Sequence, residues 1–237
     1  MSEDLYRRSP TVWEKYFSLK PGELTFQFEF YDLYSGDEKI LHEKLRTLMT
    51  KLKKPEFTGP IYLIVRELLT NSLKALYKRL YHDYFLAEIG LSDLPYQQWL
   101  DIFRKEIESH MAENFAHLCK EKNISVQCLI KAKGDRLVIE VINEGVPSKV
   151  EWDRLQASLA KANDVTDLSY LFAAGEDEDD IHEGAGIGVP LISVMLKNMH
   201  LDISDFSINT ENGCTVARLS FPVRIFLGNF GEDELTE

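Results

Sequence analysis

Two pairs of neighbouring strand patterns, each joined by a very short turn, most restrict the folds open to this sequence. Residues 124–132 (ISVQCLIKA) and 136–142 (RLVIEVI) flank Lys133-Gly134-Asp135, and residues 201–208 and 214–221 flank Glu211-Asn212-Gly213. Strands joined by so few residues must pair antiparallel, because a parallel pair needs a crossover of about a dozen residues or more. A further alternating run, 24–30 (LTFQFEF), predicts a strand upstream of both hairpins.

Helical periodicity fills most of the remaining chain. Residues 37–54 carry Ile40, Leu41, Leu45, Leu48, Met49 and Leu52 at three- and four-residue steps, with Asp37 placed to cap the start. Pro55 and Gly59-Pro60 then punctuate the chain, and a long helix is expected over about 60–82. Residues 83–95 read as a loop, and 96–121 as a further helix with Trp99, Ile102, Phe103, Ile107 and Met111 on its apolar stripe. Residues 150–172 read as partly helical, and another helix opens at Gly184-Ala185-Gly186-Ile187-Gly188. Helices on one face of hairpin-built strands predict an α+β fold. It is a two-layer α/β sandwich with a mixed, mostly antiparallel sheet and extra N-terminal and inserted helices, not a doubly wound parallel sheet.

Composition narrows the function. With 27 basic and 39 acidic residues the net charge is -12, which opposes binding to nucleic-acid phosphates and favours solubility. No apolar run is long enough to cross a bilayer, and MSEDLYRRSP is not an apolar leader. Cys119, Cys128 and Cys214 form neither a paired framework nor a metal-ligand spacing. These features predict a soluble cytoplasmic protein with no membrane insertion and no nucleic-acid partner. The acidic run Gly175–Asp180 reads as a mobile loop, and the tail Gly231–Glu237 as acidic and disordered.

Three segments carry candidate chemistry. Glu67, Asn71 and Lys74 stand at i, i+4 and i+7, on one face of the long helix, opposite Leu68, Leu69 and Leu76. A carboxylate can orient a nucleophile, an amide oxygen can ligate Mg²⁺, and an ammonium can pair with phosphate; a solvated Glu–Lys stripe is the plainer alternative. Gly184, Gly186 and Gly188 precede an apolar helix, where close backbone approach and free amides favour an anion. The spacing fits neither the dinucleotide-binding fingerprint nor a P-loop. Finally, Asn143-Glu144-Gly145 ends a strand, where a polar side chain could meet the edge of a base or simply close the strand.

Taken in order, these segments resemble the GHKL superfamily of histidine-kinase catalytic domains, gyrase B-type and MutL-type ATPases and anti-sigma factor kinases. Glu67 to Ala75 is similar to the N box, Asn143-Glu-Gly145 to the G1 box, and Gly184-Ala-Gly186-Ile-Gly188-Val189 to the G2 box. Gly213-Cys-Thr215 through Pro222 resembles the closing strand of histidine-kinase domains. The resemblance implies a Bergerat-type ATP-binding domain over 58–222, with a helical insertion at 83–121 and an ATP lid at 146–183. Residues 1–57 then form a strand-helix extension and 223–237 an acidic tail. It further implies that ATP and Mg²⁺ are the cofactors and that Asn71 ligates the metal. Lys74 approaches phosphate, Glu67 polarises a nucleophile, and Gly184, Gly186 and Gly188 frame the lid edge. Asn143 takes the place of the adenine-binding residue, Gly145 belongs to the same ATP site, and Thr215 lies near the adenine.

Three departures accompany the resemblance. Asn143 stands where the family carries Asp, Val146-Pro147 replaces the second G1 glycine, and the insertion after the N box is large enough to offer a docking surface. His42-Glu43 resembles the His-Glu pair of a dimerisation helix, but the rest of that motif is missing, so a phosphoacceptor is expected on a separate protein. The expected activity is a histidine kinase-like one in two-component signalling, by phosphoryl transfer to a partner or by ATP hydrolysis. The alternative is a degenerate GHKL-like regulatory protein with weak or no nucleotide binding. The oligomeric state stays open, a homodimer included.

Overall fold

Strict alternation of large apolar and polar side chains builds the centre of the molecule. The structure, a computed structural model, describes residues 12–20, 23–33, 35–86, 90, 94–106, 112–162 and 188–223. In them β3 (Val126–Lys133) and β4 (Arg136–Glu144) form the first expected hairpin, turning at Gly134 with φ +62°. The second hairpin joins β5 (Phe206–Glu211) to β6 (Cys214–Pro222) through Asn212 and Gly213, both at positive φ. That two-residue geometry matches the natural twist of paired strands and explains the Asn-Gly at this turn. The strand expected from 201 begins at Phe206, because Asp202 caps a single 3₁₀ turn over Ile203–Asp205.

The sheet has six strands in the order β1-β2-β3-β4-β6-β5, where β1 is Val12–Lys20 and β2 is Glu23–Phe30. Every described pairing is antiparallel, so the mixed sheet expected from the sequence is corrected to an antiparallel one. Strand β1 escapes the alternation test for a physical reason. Its register on β2 slips between Glu14 and Tyr16, and a one-residue bulge changes the phase of the alternation partway along. Residues 1–57, expected as an extension, thus supply two strands of this same sheet, and β2 is paired with β3 over its whole length.

The helices follow the predicted stripes. Helix α1 (Ser35–Lys51) and the long α2 (Thr58–Leu80) pack on each other, and α2 lies directly on β3 and β4. A single π turn, Tyr81–Leu86, extends α2 into the stretch expected as loop. The helix expected over 96–121 is described as two, α3 (Tyr96–Glu106) and α4 (Ala112–Lys122). Helix α5 (Lys149–Ala162) follows β4, and α6 (Gly188–Asn198) packs against both α2 and α5.

One apolar cluster joins these elements. Phe26, Phe28 and Phe30 on β2, Ile139 and Val141 on β4, and Leu219 and Phe221 on β6 bury against Ile61, Ile64, Val65 and Leu69 of α2. The inserted helices belong to the same core. Phe115 of α4 stacks on Tyr77 at 5.5 Å, and Phe103 of α3 meets Tyr81 at 5.5 Å. Their described aromatic side chains are therefore part of that core. The other sheet face is polar at its centre, where Arg218 binds Glu140 at 2.7 Å and Glu211 at 3.2 Å.

Candidate functional site

Helix α2 is apolar on the side that meets the sheet and small or polar on the adjoining side, and a cavity opens along that second side. It has a volume of about 700 Å³ and is bounded by α2, the ends of β4 and β6, the segment 145–148, α5 and the start of α6. Asn71, Asn143, Gly145, Gly188 and Thr215, all singled out from the sequence, line it together. Gly184 and Gly186 lie outside the described residues, as do the acidic run 175–180 and most of the segment expected as a lid; its described part is Val146 through α5.

At one end the cavity is lined by Asn71 and Gly188, with Glu67 at its margin. The Asn71 Nδ2 donates to Glu67 Oε1 at 2.8 Å across one helical turn. This contact fixes the amide nitrogen against the carboxylate and leaves the amide oxygen as the atom available to a ligand. Gly188, the first described residue of α6, stands directly beside them. A Cβ there would stand 2.5 Å from Glu67 Oε1 and 3.1 Å from Asn71 Nδ2, so glycine is what allows the helix start to approach this pair. The first amides of a helix have no partner within it, which makes such an end receptive to an anion.

The other end is the junction of β4 and β6. Asn143 pairs in register with Thr215, so both side chains point to the helix side of the sheet. Asn143 is buried, 7% exposed, and among the described residues its Oδ1 has no hydrogen-bond partner. Thr215 donates its hydroxyl to the Gly145 carbonyl at 2.8 Å, and the Gly145 amide donates to the Gly213 carbonyl at 2.9 Å. Gly145 holds φ +94°, and a Cβ on it would run into the Arg79 guanidinium, which itself donates to the Glu144 carbonyl. The strand end is thus locked by three bonds, none of which reaches the Asn143 amide.

Of the expected stripe on α2, only Asn71 lines the cavity. Glu67 stands at its margin, and Lys74 is exposed and not among the lining residues. The reason is angular. At about 100° per residue the lining positions 68, 71, 72, 75, 78, 79 and 82 share a stripe centred on Ala75, and Glu67 and Lys74 both lie off the same edge of it, roughly 80° and 100° from its centre. The cations that do line the cavity are Lys78 and Arg79, which sequence reasoning missed. The i, i+4, i+7 relation of Asn71, Ala75 and Lys78 was the signal that could have found Lys78. Its ammonium pairs with Glu151 in the first turn of α5, where Ser148 and Glu151 also cap each other.

Two further expectations concern neighbours of the site. Trp99 of α3 reaches the cavity wall, with its ring 5.2 Å from that of His82, so the insertion contributes to the site itself. His42 is on α1, half-buried and edge-on to Tyr62 at 5.0 Å. Among the described residues no helix is long and apolar enough to cross a membrane, and no group of three or more His, Cys, Asp or Glu side chains is placed to hold a metal ion.

Comparison with known proteins adds little to this geometry. A protein of Treponema pallidum (strain Nichols), itself uncharacterised, is 26% identical over 200 residues. The similar region covers 82% of this chain and 36% of that protein, so the chain spans about a third of its relative's length. No protein-family model and no solved structure matches.

Proposed function

We propose that this chain is a Mg-ATP-binding module of the GHKL kind, with a Bergerat-type site between α2 and the β4–β6 junction. Its activity is phosphoryl transfer to a separate protein in signalling, or hydrolysis of ATP. The observation that carries this reading is one cavity lined by both Asn71 with Gly188 and Asn143 with Thr215, from segments far apart in the chain.

The residues fit the two cofactors. Mg²⁺ prefers hard oxygen donors and keeps most of its water, so the Asn71 amide oxygen is a sufficient protein ligand beside phosphate oxygens. The metal, when bound, neutralises charge on the transferring phosphoryl group. Gly188 leaves room for phosphate at the start of α6, and Lys78 and Arg79, paired with Glu151 and Glu144, are the cations along the cavity wall that a phosphate could engage. Glu67, held by Asn71, is the carboxylate available to orient an attacking group. At the other end the buried Asn143 Oδ1 lacks a donor, and a base edge with an exocyclic amine offers one. The acceptor protein, and a homodimeric arrangement if the chain forms one, belong to the same proposal.

The exposed position of Lys74, outside the cavity, favours a second reading, a regulatory protein that binds nucleotide weakly. Calorimetric titration separates the two. The proposal expects saturable Mg-ATP binding that falls at least tenfold in Asn71→Ala, equivalent to about 1.4 kcal/mol. Absence of binding up to millimolar Mg-ATP supports the second reading instead.

A further inference from the structure

We infer that this site accepts 6-oxopurine as well as 6-aminopurine nucleoside triphosphates, and that Asn143 is the residue that sets this breadth. The inference rests on the nucleotide reading above and adds the class of base to it.

The surroundings of the Asn143 amide carry this inference. The side chain is more than nine-tenths buried and lines the cavity, and its Oδ1 has no partner. Two neighbouring donor groups bond elsewhere. Thr215, directly across on β6, donates to the Gly145 carbonyl, and Arg79 donates to the Glu144 carbonyl. Its cross-strand neighbour on β3 is the apolar Val126. Among the described residues, no donor holds the oxygen edge of the amide in place.

A carboxamide differs from a carboxylate in having two unlike edges, one acceptor and one double donor. A half-turn about its terminal torsion exchanges them, and that torsion is broad and roughly two-fold. In one setting the oxygen accepts from a 6-amino group while the nitrogen donates to N1 of the ring. After a half-turn the nitrogen donates to a 6-oxo group while the oxygen accepts from N1–H. A carboxylate at this position can only accept, so it pairs with the amine and opposes the oxo group. A buried site that leaves a polar group unpaired discriminates strongly between close analogues. A site whose one buried amide pairs with either edge does not.

Inosine triphosphate is the probe, because it differs from ATP only in the 6-substituent and the N1 proton. Equilibrium binding of Mg-ATP and Mg-ITP to the full chain is expected to agree within about fivefold. Asn143→Asp is expected to shift the ratio at least tenfold toward ATP. A wild-type preference for ATP above about fiftyfold overturns the inference while leaving the nucleotide site intact. An unchanged ratio in a folded Asn143→Asp protein also overturns it. Failure of both nucleotides to bind overturns the nucleotide reading and this inference with it. The wild-type ratio needs no variant, so the test stands even if the buried carboxylate prevents folding.

Discussion

Gly134 and Gly145 both hold a positive φ, yet they stand in unlike surroundings. Around Gly134 a Cβ would meet nothing within 4 Å, whereas at Gly145 it would strike the Arg79 side chain. Asn tolerates the left-handed region, so Gly134→Asn should change stability by less than about 1 kcal/mol. Gly145→Ala adds backbone strain to a steric conflict and should cost about 1–3 kcal/mol. Urea denaturation of the two variants checks the contrast, and equal losses would contradict it. At Gly188 the conflict is with the Glu67–Asn71 pair. Gly188→Val should weaken Mg-ATP binding at least tenfold with little effect on the denaturation midpoint, since the displaced atoms are side-chain ends at a cavity margin. A binding constant left unchanged would separate Gly188 from the ligand.

Helices and hairpins were legible in the sequence wherever the pattern had one period throughout. The β3–β4 hairpin and α1 keep such a period. Strand β1 changes phase at its bulge, and no alternation test recovers it. Candidate site residues divide in the same way. Polarity marked Asn71 and Asn143, but which third of α2 faces the cavity is decided by how the helix rolls on β3 and β4. That roll brings Ala75 and Lys78 inward and leaves Lys74 outside, and the side chains of α2 do not by themselves encode it. The insertion shows a related limit. Its apolar stripe was visible in the sequence, but the aromatic contacts that use it, Phe115 on Tyr77 and Phe103 on Tyr81, are long-range. Phe115→Ala should therefore cost about 3–5 kcal/mol, the range for a fully buried ring. A loss under about 1 kcal/mol would show that α4 is not part of the core.

Over the whole molecule, burial sorts the three thiols. Cys119 and Cys128 are buried, and desolvation pushes each up to about 12, for Cys119 against the opposing pull of Arg79. Cys214 is partly exposed. Iodoacetamide at mildly alkaline pH should therefore modify Cys214 first, with Cys119 and Cys128 following only on unfolding. The linkage has a definite sign. Below about pH 9 the two buried thiols keep their protons in both states and leave stability unchanged. Between about pH 9 and pH 12 the unfolded chain releases protons that the folded chain retains, so stability falls as pH rises through this window. A denaturation midpoint that is flat across that window would contradict the burial of these two groups.

The central claim is that one cavity holds both ends of a nucleotide, with the base at the β4–β6 junction and the phosphates at the start of α6. A crystal structure of the chain with Mg²⁺ and a non-hydrolysable ATP analogue tests it most directly. The account predicts the purine edge on the Asn143 amide, the metal on the Asn71 oxygen and phosphate beside Gly188. An analogue bound elsewhere, or a cavity without it at saturating concentration, would contradict the account.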